Sequence, residues 1–254
     1  MLPRTLQTSE SERAPVAPCG AAPSASTAAP PDPRSVPPRR GRAVPSQQTG
    51  GVSRDVRVLI EIGKRRVFAV ALDWPGWARR ARTADDALTS LGAYGPRYGA
   101  VLGEMFQPGA LTVVGEVDGG SNPDFGVLAG PGAVDEGPLS PAEIARSSEI
   151  LRRSWSAFDL ATTGPPVALR VGPRGGGRDR DAIRAHVADA ERAYAAKVGV
   201  RPPAAMPWPQ RRELLVAALG NAAPVGAWPA RYLARRVGWH VLDHLWEIED
   251  RSER

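Results

Sequence analysis

The chain has 254 residues and a formal net charge of +6, a length that suits one large domain or two modest ones. Half of that charge lies in residues 1–51, where six arginines stand against three acids, so the rest is nearly balanced and gives poor support for binding a specific nucleic acid. The single cysteine, Cys19, cannot form an intrachain disulfide, which fits a reducing cytoplasm. No stretch reaches the roughly 20 apolar residues of a membrane span. We therefore expect a cytoplasmic protein without a membrane partner.

Residues 1–52 are rich in proline, alanine and serine. A segment of this composition buries too little apolar surface to fold, so we expect a disordered tail. A second interpretation is that translation starts near Val52, because a GTG codon can initiate in GC-rich bacteria. Under both interpretations the tail stands outside the fold.

Two short runs rich in β-branched residues open the folded part, V-R-V-L-I-E-I from Val56 and then R-V-F-A-V-A-L. The Gly63-Lys64 pair between them predicts a hairpin. A third short strand is predicted over 77–82, and Thr83 followed by two acids predicts the start of a helix. With a last strand over 111–117, residues 53–118 form a small α+β unit.

Residues 119–139 are glycine-rich and predict a linker that crosses the surface. Ser140-Pro141-Ala142-Glu143 then combines a capping box with proline at the first helical position, which predicts a helix over 141–160. Three more helices are predicted over 179–198, 209–219 and 229–251. The predicted fold is therefore an α+β N-terminal small domain, 53–118, followed by an all-α four-helix bundle, 140–254.

All three histidines of the chain fall on predicted inward faces of that bundle. His186 lies on the apolar stripe of the second helix, and His240 and His244 lie one turn apart on the fourth. Three neutral imidazoles with one open position suit a catalytic Zn²⁺ site. A hydrogen-bonded core histidine is the competing interpretation for each residue, and the pattern alone leaves both open.

Two acids flank His244. Glu247 either orients a ligand histidine, moves a proton or is a solvated acid. For Asp243 we favour the solvated acid.

The segments A-H-V-A-D-A-E-R-A-Y and H-V-L-D-H-L-W-E-I-E resemble the DinB-like superfamily over residues 140–254. That resemblance implies a four-helix bundle in which His186, His240 and His244 hold a divalent metal, Zn²⁺ first and Ni²⁺ second. It also implies a thiol-dependent S-transferase or isomerase. A GC-rich, actinobacterial-type composition then implies mycothiol as the thiol.

The segments R-V-F-A-V-A-L-D-W-P-G-W and T-A-D-D-A-L-T-S-L resemble HicB-like domains. In antitoxins such domains pair with a protein toxin and precede a DNA-binding element, whereas a bundle follows here. The resemblance implies a protein partner for the α+β unit. The alternative function is therefore a non-catalytic binding module with a structural bundle.

The loop V-G-P-R-G-G-G-R-D-R-D, residues 171–181, leads into the second predicted helix. Its glycines, Arg174 and Arg178 suit either an anion at the helix N-terminus or a flexible connection. It lacks the G-x-x-x-x-G-K-[ST] form, which excludes a nucleotide-hydrolysing P-loop. Four tryptophans are expected to pack in the core or at the edges of the bundle: Trp208, Trp228, Trp239 and Trp246.

Overall fold

The computed structural model describes residues 55–164, 168–171, 177–221 and 226–252. The strands are β1 (Val56–Gly63), β2 (Val67–Ala71), β3 (Ala78–Ala81) and β4 (Leu111–Gly120). The helices are α1 (Ala84–Ala93), α2 (Gly95–Leu102), α3 (Pro141–Ala161), α4 (Arg180–Lys197), α5 (Trp208–Ala218) and α6 (Ala230–Ser252). An α+β region followed by helices, the coarse form of the predicted class, is confirmed. The predicted tail, residues 1–52, lies outside the described residues.

The described strands form one mixed sheet in the order β3-β2-β1-β4. The predicted hairpin pairs β1 with β2 antiparallel, and β3 continues this pattern beside β2. β4 pairs with β1 in parallel, which requires a crossover, and α1 and α2 supply it. Helix α2 is not among the predicted elements. Gly95-Pro96 is typical of a turn, yet proline in the first turn of a helix loses no hydrogen bond.

Local capping fixes where the helices begin. The Thr83 hydroxyl accepts a hydrogen bond from the Asp86 amide at 3.1 Å. The Ser140 hydroxyl and the Glu143 carboxylate accept from each other's amides at 3.3 and 2.8 Å, which is the predicted capping box. Asp179 accepts from the Ala182 amide at 2.7 Å. In the described part of the chain, no helix is long and apolar enough to cross a membrane.

One apolar cluster joins the sheet to the helices. It contains Val58 of β1, Tyr98 of α2, Phe158 of α3 and Leu242 of α6, all essentially inaccessible to solvent. A smaller cluster on the other face of the sheet includes Phe68, Leu128 and Trp239. Because burial of each large side chain stabilises by about 1.5–3 kcal/mol, the sheet and the helices stabilise each other. The domain limits proposed from the sequence stay a prediction.

The segment after β4, for which a surface linker is predicted, buries Leu128 and Asp135 completely. Arg235 of α6 donates two hydrogen bonds to the Asp135 carboxylate, at 2.9 and 2.8 Å, and lies 3.4 Å from the Glu61 carboxylate. Glu61 also accepts from the Ala129 amide at 2.7 Å. Burial raises the pKa of Glu61, although the charge of Arg235 opposes that shift. This ionic network fastens the segment to β1 and to α6.

The turn after β2 touches α6 directly. Gly76 has a φ of +96°, and a Cβ there would lie 2.8 Å from the carbonyl carbon of Gly238. A Cβ on Gly238 would in turn lie 3.1 Å from the Pro75 oxygen. The Tyr98 hydroxyl donates to that oxygen at 2.9 Å and holds the turn in place. Two glycines therefore let the turn and the helix meet backbone to backbone, two residues before His240.

Candidate metal centre

The three histidines meet between α4 and α6. His240 Nε2 lies 3.2 Å from His186 Nε2, and one ring nitrogen from each of the three residues lies within 4.8 Å of the others. The predicted convergence of His186, His240 and His244 is therefore observed. That they ligate an ion stays a prediction, because convergence alone does not require one.

Helix periodicity explains the placement. His240 and His244 are four residues apart, so both project from one face of α6, and they are 2% and 3% exposed. His186 of α4 is half-buried, although its neighbour Val187 is fully buried. The site therefore has two buried members and one at the margin of the helical core.

His244 is oriented by Glu247. Its Nδ1 lies 2.8 Å from one Glu247 carboxylate oxygen, and the other oxygen accepts from Arg251 at 2.8 Å. Burial alone would raise the pKa of Glu247, but the hydrogen bond to His244 and the charges of His244 and Arg251 outweigh it, and the pKa is lowered. The carboxylate therefore holds a proton on Nδ1, which makes Nε2 the nitrogen that would bind a cation. Of the predicted roles for Glu247, the structure favours orientation.

His240 is held in its neutral form. Burial lowers its pKa well below the usual value, and the charges of His244, His186, Arg236 and Arg178 lower it further. Its Nδ1 is buried, with no hydrogen-bond partner among the described residues. A neutral imidazole is the form that binds metals.

Asp243 turns away from the histidines. Its carboxylate lies 3.8 Å from the Arg79 guanidinium of β3, and its side chain is 19% exposed. Burial raises its pKa, and Arg79 opposes that effect. The interpretation of Asp243 as a solvated acid was wrong, because the Arg79 side chain of β3 reaches this face of α6 and supplies the partner.

Cationic and aromatic side chains surround His240. The Tyr194 ring centroid lies 5.7 Å from that of His240, and the Arg236 guanidinium lies 5.5 Å from the Tyr194 ring centroid. Arg178, one of the two arginines named for the predicted anion loop, is close enough for its charge to act on His240. Arg174 lies in 172–176, outside the described residues.

Arg251 is not among the predicted site residues, although its four-residue spacing from Glu247 was an available signal. The role of Glu191 on α4, which is 3% exposed, is not predicted either. Its carboxylate accepts from the Trp155 and Trp208 indoles at 2.7 and 2.5 Å and from Arg212 at 3.2 Å. Burial raises its pKa, against the charge of Arg212. This network joins α3, α4 and α5 and contributes no atom to the group of three histidines.

Comparison of the chain with protein-family models, with characterised proteins and with solved structures finds no match in any of the three.

Proposed function

We propose that this protein is a metal-binding protein of the DinB-like type, in which His186, His240 and His244 hold one divalent cation and serve a thiol-dependent S-transferase or isomerase. The observation that carries the proposal is the convergence of the three imidazoles between α4 and α6. The Glu247–His244 hydrogen bond supports it further, because a carboxylate on the outer nitrogen is a common feature of histidine metal ligands.

The donor set fits Zn²⁺. Nitrogen ligands at 2.0–2.1 Å from a tetrahedral ion lie about 3.3 Å apart, and His186 Nε2 and His240 Nε2 are 3.2 Å apart. Imidazole donors suit Zn²⁺ and also Ni²⁺, whereas Mg²⁺ and Ca²⁺ prefer oxygen. The group contains no carboxylate among the described residues.

The surrounding charge favours an anion at the open position. Three neutral ligands leave a divalent charge uncompensated, and Arg236 and Arg178 add positive charge near His240. A bound divalent cation supplies the Lewis acidity that lowers the pKa of a small thiol or a water molecule. Mycothiol is the thiol we propose, on the resemblance and the composition.

Elemental analysis of the purified full chain tests the metal. We expect about one Zn²⁺ or Ni²⁺ per chain, and its loss from the His240→Gln/His244→Gln double variant. Asp243→Asn is the matched control, because Asp243 adjoins His244 but faces Arg79. Absence of stoichiometric metal, or equal metal in the double variant, contradicts the proposal.

The reaction needs a separate assay. Consumption of free thiol by an electrophile, followed with mycothiol and with a thiol-free blank, should require both the metal and the three histidines. If the protein binds the metal but consumes no thiol, the proposed metal centre is supported and the proposed transferase activity is contradicted.

The exposed edge of the sheet favours one alternative, the non-catalytic binding module. β4 ends the sheet, and Val113 and Val114 on it are 42% and 49% exposed. An edge strand with apolar side chains can pair with another chain. A specific partner retained by the full chain, lost with Val114→Glu and kept by the His240→Gln/His244→Gln variant, would support this function over catalysis.

A further inference from the structure

A second polar site lies on the sheet, apart from the histidines. A cleft of about 560 Å³ is lined by Arg65, Arg66, Arg80, Arg82 and Asp124. We call it the arginine cleft. Its volume falls within the usual range of small-molecule sites, but it lacks the apolar lining that most of them have. Any ligand it takes is therefore recognised by charge.

The strand register brings the arginines together. Phe68 of β2 pairs with Arg80 of β3, and Val67 pairs with Ala81. One further step along this register sets Arg66 opposite Arg82. Residues at i and i+2 share a face of a strand, so Arg80 and Arg82 project to the same side. Like charges directly opposite each other destabilise a sheet, so an anion bound between these arginines would stabilise the arrangement.

The protein supplies only part of that compensation. Asp124 is the single acid of the lining, and its carboxylate accepts from the Arg65 backbone amide at 2.7 Å. Arg80 donates to the Pro123 carbonyl at 3.2 Å, which gives it a structural role in holding the turn after β4. Within the described ranges, the guanidiniums of Arg65, Arg66 and Arg82 make no hydrogen bond or ion pair. A structural role therefore accounts for one of the four arginines.

We propose that the arginine cleft binds a compact, multiply charged phosphate group, of the diphosphate class, either free or at the end of a nucleotide. Guanidinium forks match phosphate oxygens two at a time, and several forks on one small cleft suit adjacent phosphates. Asp85 and Asp86 follow Arg82 closely at the exposed start of α1. These acids repel a long polyanion that would extend past the cleft, so a compact ligand is favoured over a nucleic acid.

The arginine cleft shares no residue with the group of three histidines, although the charge of Arg80 reaches Asp243 beside His244. Arg79 alternates with Arg80 along β3 and faces the other way, over the Tyr94 ring at 3.6 Å and toward Asp243 of α6. The arginine cleft therefore opens on the opposite side of the strand. If the histidines bind no metal, the proposal for the arginine cleft is unaffected. If the cleft binds no phosphate, the proposal for the metal centre is unaffected.

Isothermal titration of the full chain with inorganic diphosphate tests the proposal, at about 150 mM salt, where long-range attraction is screened. We expect a dissociation constant below about 1 mM and a loss of about tenfold for each guanidinium removed, so about a hundredfold for Arg66→Gln/Arg82→Gln. Arg201→Gln is the matched control, since that exposed arginine also lacks an ion pair. It should change the affinity less than twofold.

Arg65→Gln provides a second variant, because this exposed side chain has no packing role. Adenosine diphosphate tells the two sources apart: affinity equal to that of diphosphate indicates the free anion, and affinity tenfold tighter indicates a nucleotide. Binding that survives the cleft substitutions, as it would at a metal ion, overturns the proposal. So does a 20-nucleotide DNA strand that binds through the same arginines at least tenfold more tightly than diphosphate.

Discussion

Replacing Glu247 with glutamine separates the charge of this residue from its shape. The carboxylate lies 2.8 Å from His244 Nδ1, and the amide oxygen of glutamine can still accept that hydrogen bond. The substitution removes the negative charge of the carboxylate. That charge increases the basicity of the His244 imidazole and so makes it a better metal ligand. Loss of such a partner weakens metal affinity by about 10–100-fold, which corresponds to about 1.4–2.8 kcal/mol.

Competition with a chromophoric chelator at neutral pH measures the Zn²⁺ dissociation constants of the wild-type, Glu247→Gln and Glu249→Gln proteins. Glu249 is the matched control, two residues along the same helix and paired with Arg97 at 2.6 Å, with its side chain 42% exposed. We expect no change there, because exposed ion pairs contribute little. A Glu247→Gln protein that binds Zn²⁺ within twofold of wild type would refute the proposed contribution of the Glu247 charge to the metal affinity of His244.

The metal-free Glu247→Gln protein needs its own stability measurement. Arg251 is 7% exposed and loses its ion pair, although it keeps a hydrogen bond to the Arg170 carbonyl at 2.8 Å. We expect a loss of about 1–3 kcal/mol in the free energy of unfolding. Comparing this loss with the change in Zn²⁺ affinity separates damage to the fold from damage to the centre.

Three further predictions concern stability. Arg235→Met leaves two buried carboxylates unpaired, so urea unfolding should show a loss of about 3–5 kcal/mol, against less than about 1 kcal/mol for the exposed control Arg152→Met. Gly76→Ala should lower Tm well below that of Gly120→Ala, since both have positive φ but only the first would place a Cβ against the α6 backbone, at 2.8 Å. The pKa of His240 is lowered in the folded protein, so below about pH 6.5 the unfolded chain takes up a proton at this residue while the folded chain keeps the imidazole neutral. The free energy of unfolding of the metal-free protein should therefore fall from pH 7.5 to 5.5. An equally steep fall in the His240→Gln protein would argue against this cause.

The helix bounds were predictable because their signals are local. Ser140 and Glu143 are three residues apart, and the contact they form needs nothing from the remainder of the chain. The projection of His240 and His244 from one face of α6 likewise follows from their four-residue spacing. Such features depend on φ, ψ and periodicity, which the sequence carries directly.

The pairs that join distant segments could not be predicted in the same way. Asp135 and Arg235 are 100 residues apart, and nothing near Asp135 distinguishes it from an exposed linker acid. Asp243 resembles a solvated acid until β3 places Arg79 beside it. The arginine cleft also depends on register, because Arg66 and Arg82 meet only after β2 and β3 have paired. Charge partners in these cases are set by topology.

The contact between Gly76 and Gly238 gives α6 an unusual position, since the helix with two of the three histidines also touches the turn of the sheet through its backbone. A cation that ties α6 to α4 would thereby restrain β1 and β2, although neither strand supplies a ligand. Amide protons in these strands would exchange with solvent more slowly when the cation is bound, because their opening requires α6 to move. The amide exchange rates of β1 and β2 would then depend on whether the metal centre is occupied. Hydrogen exchange in the sheet could therefore measure that occupancy without any label on the histidines.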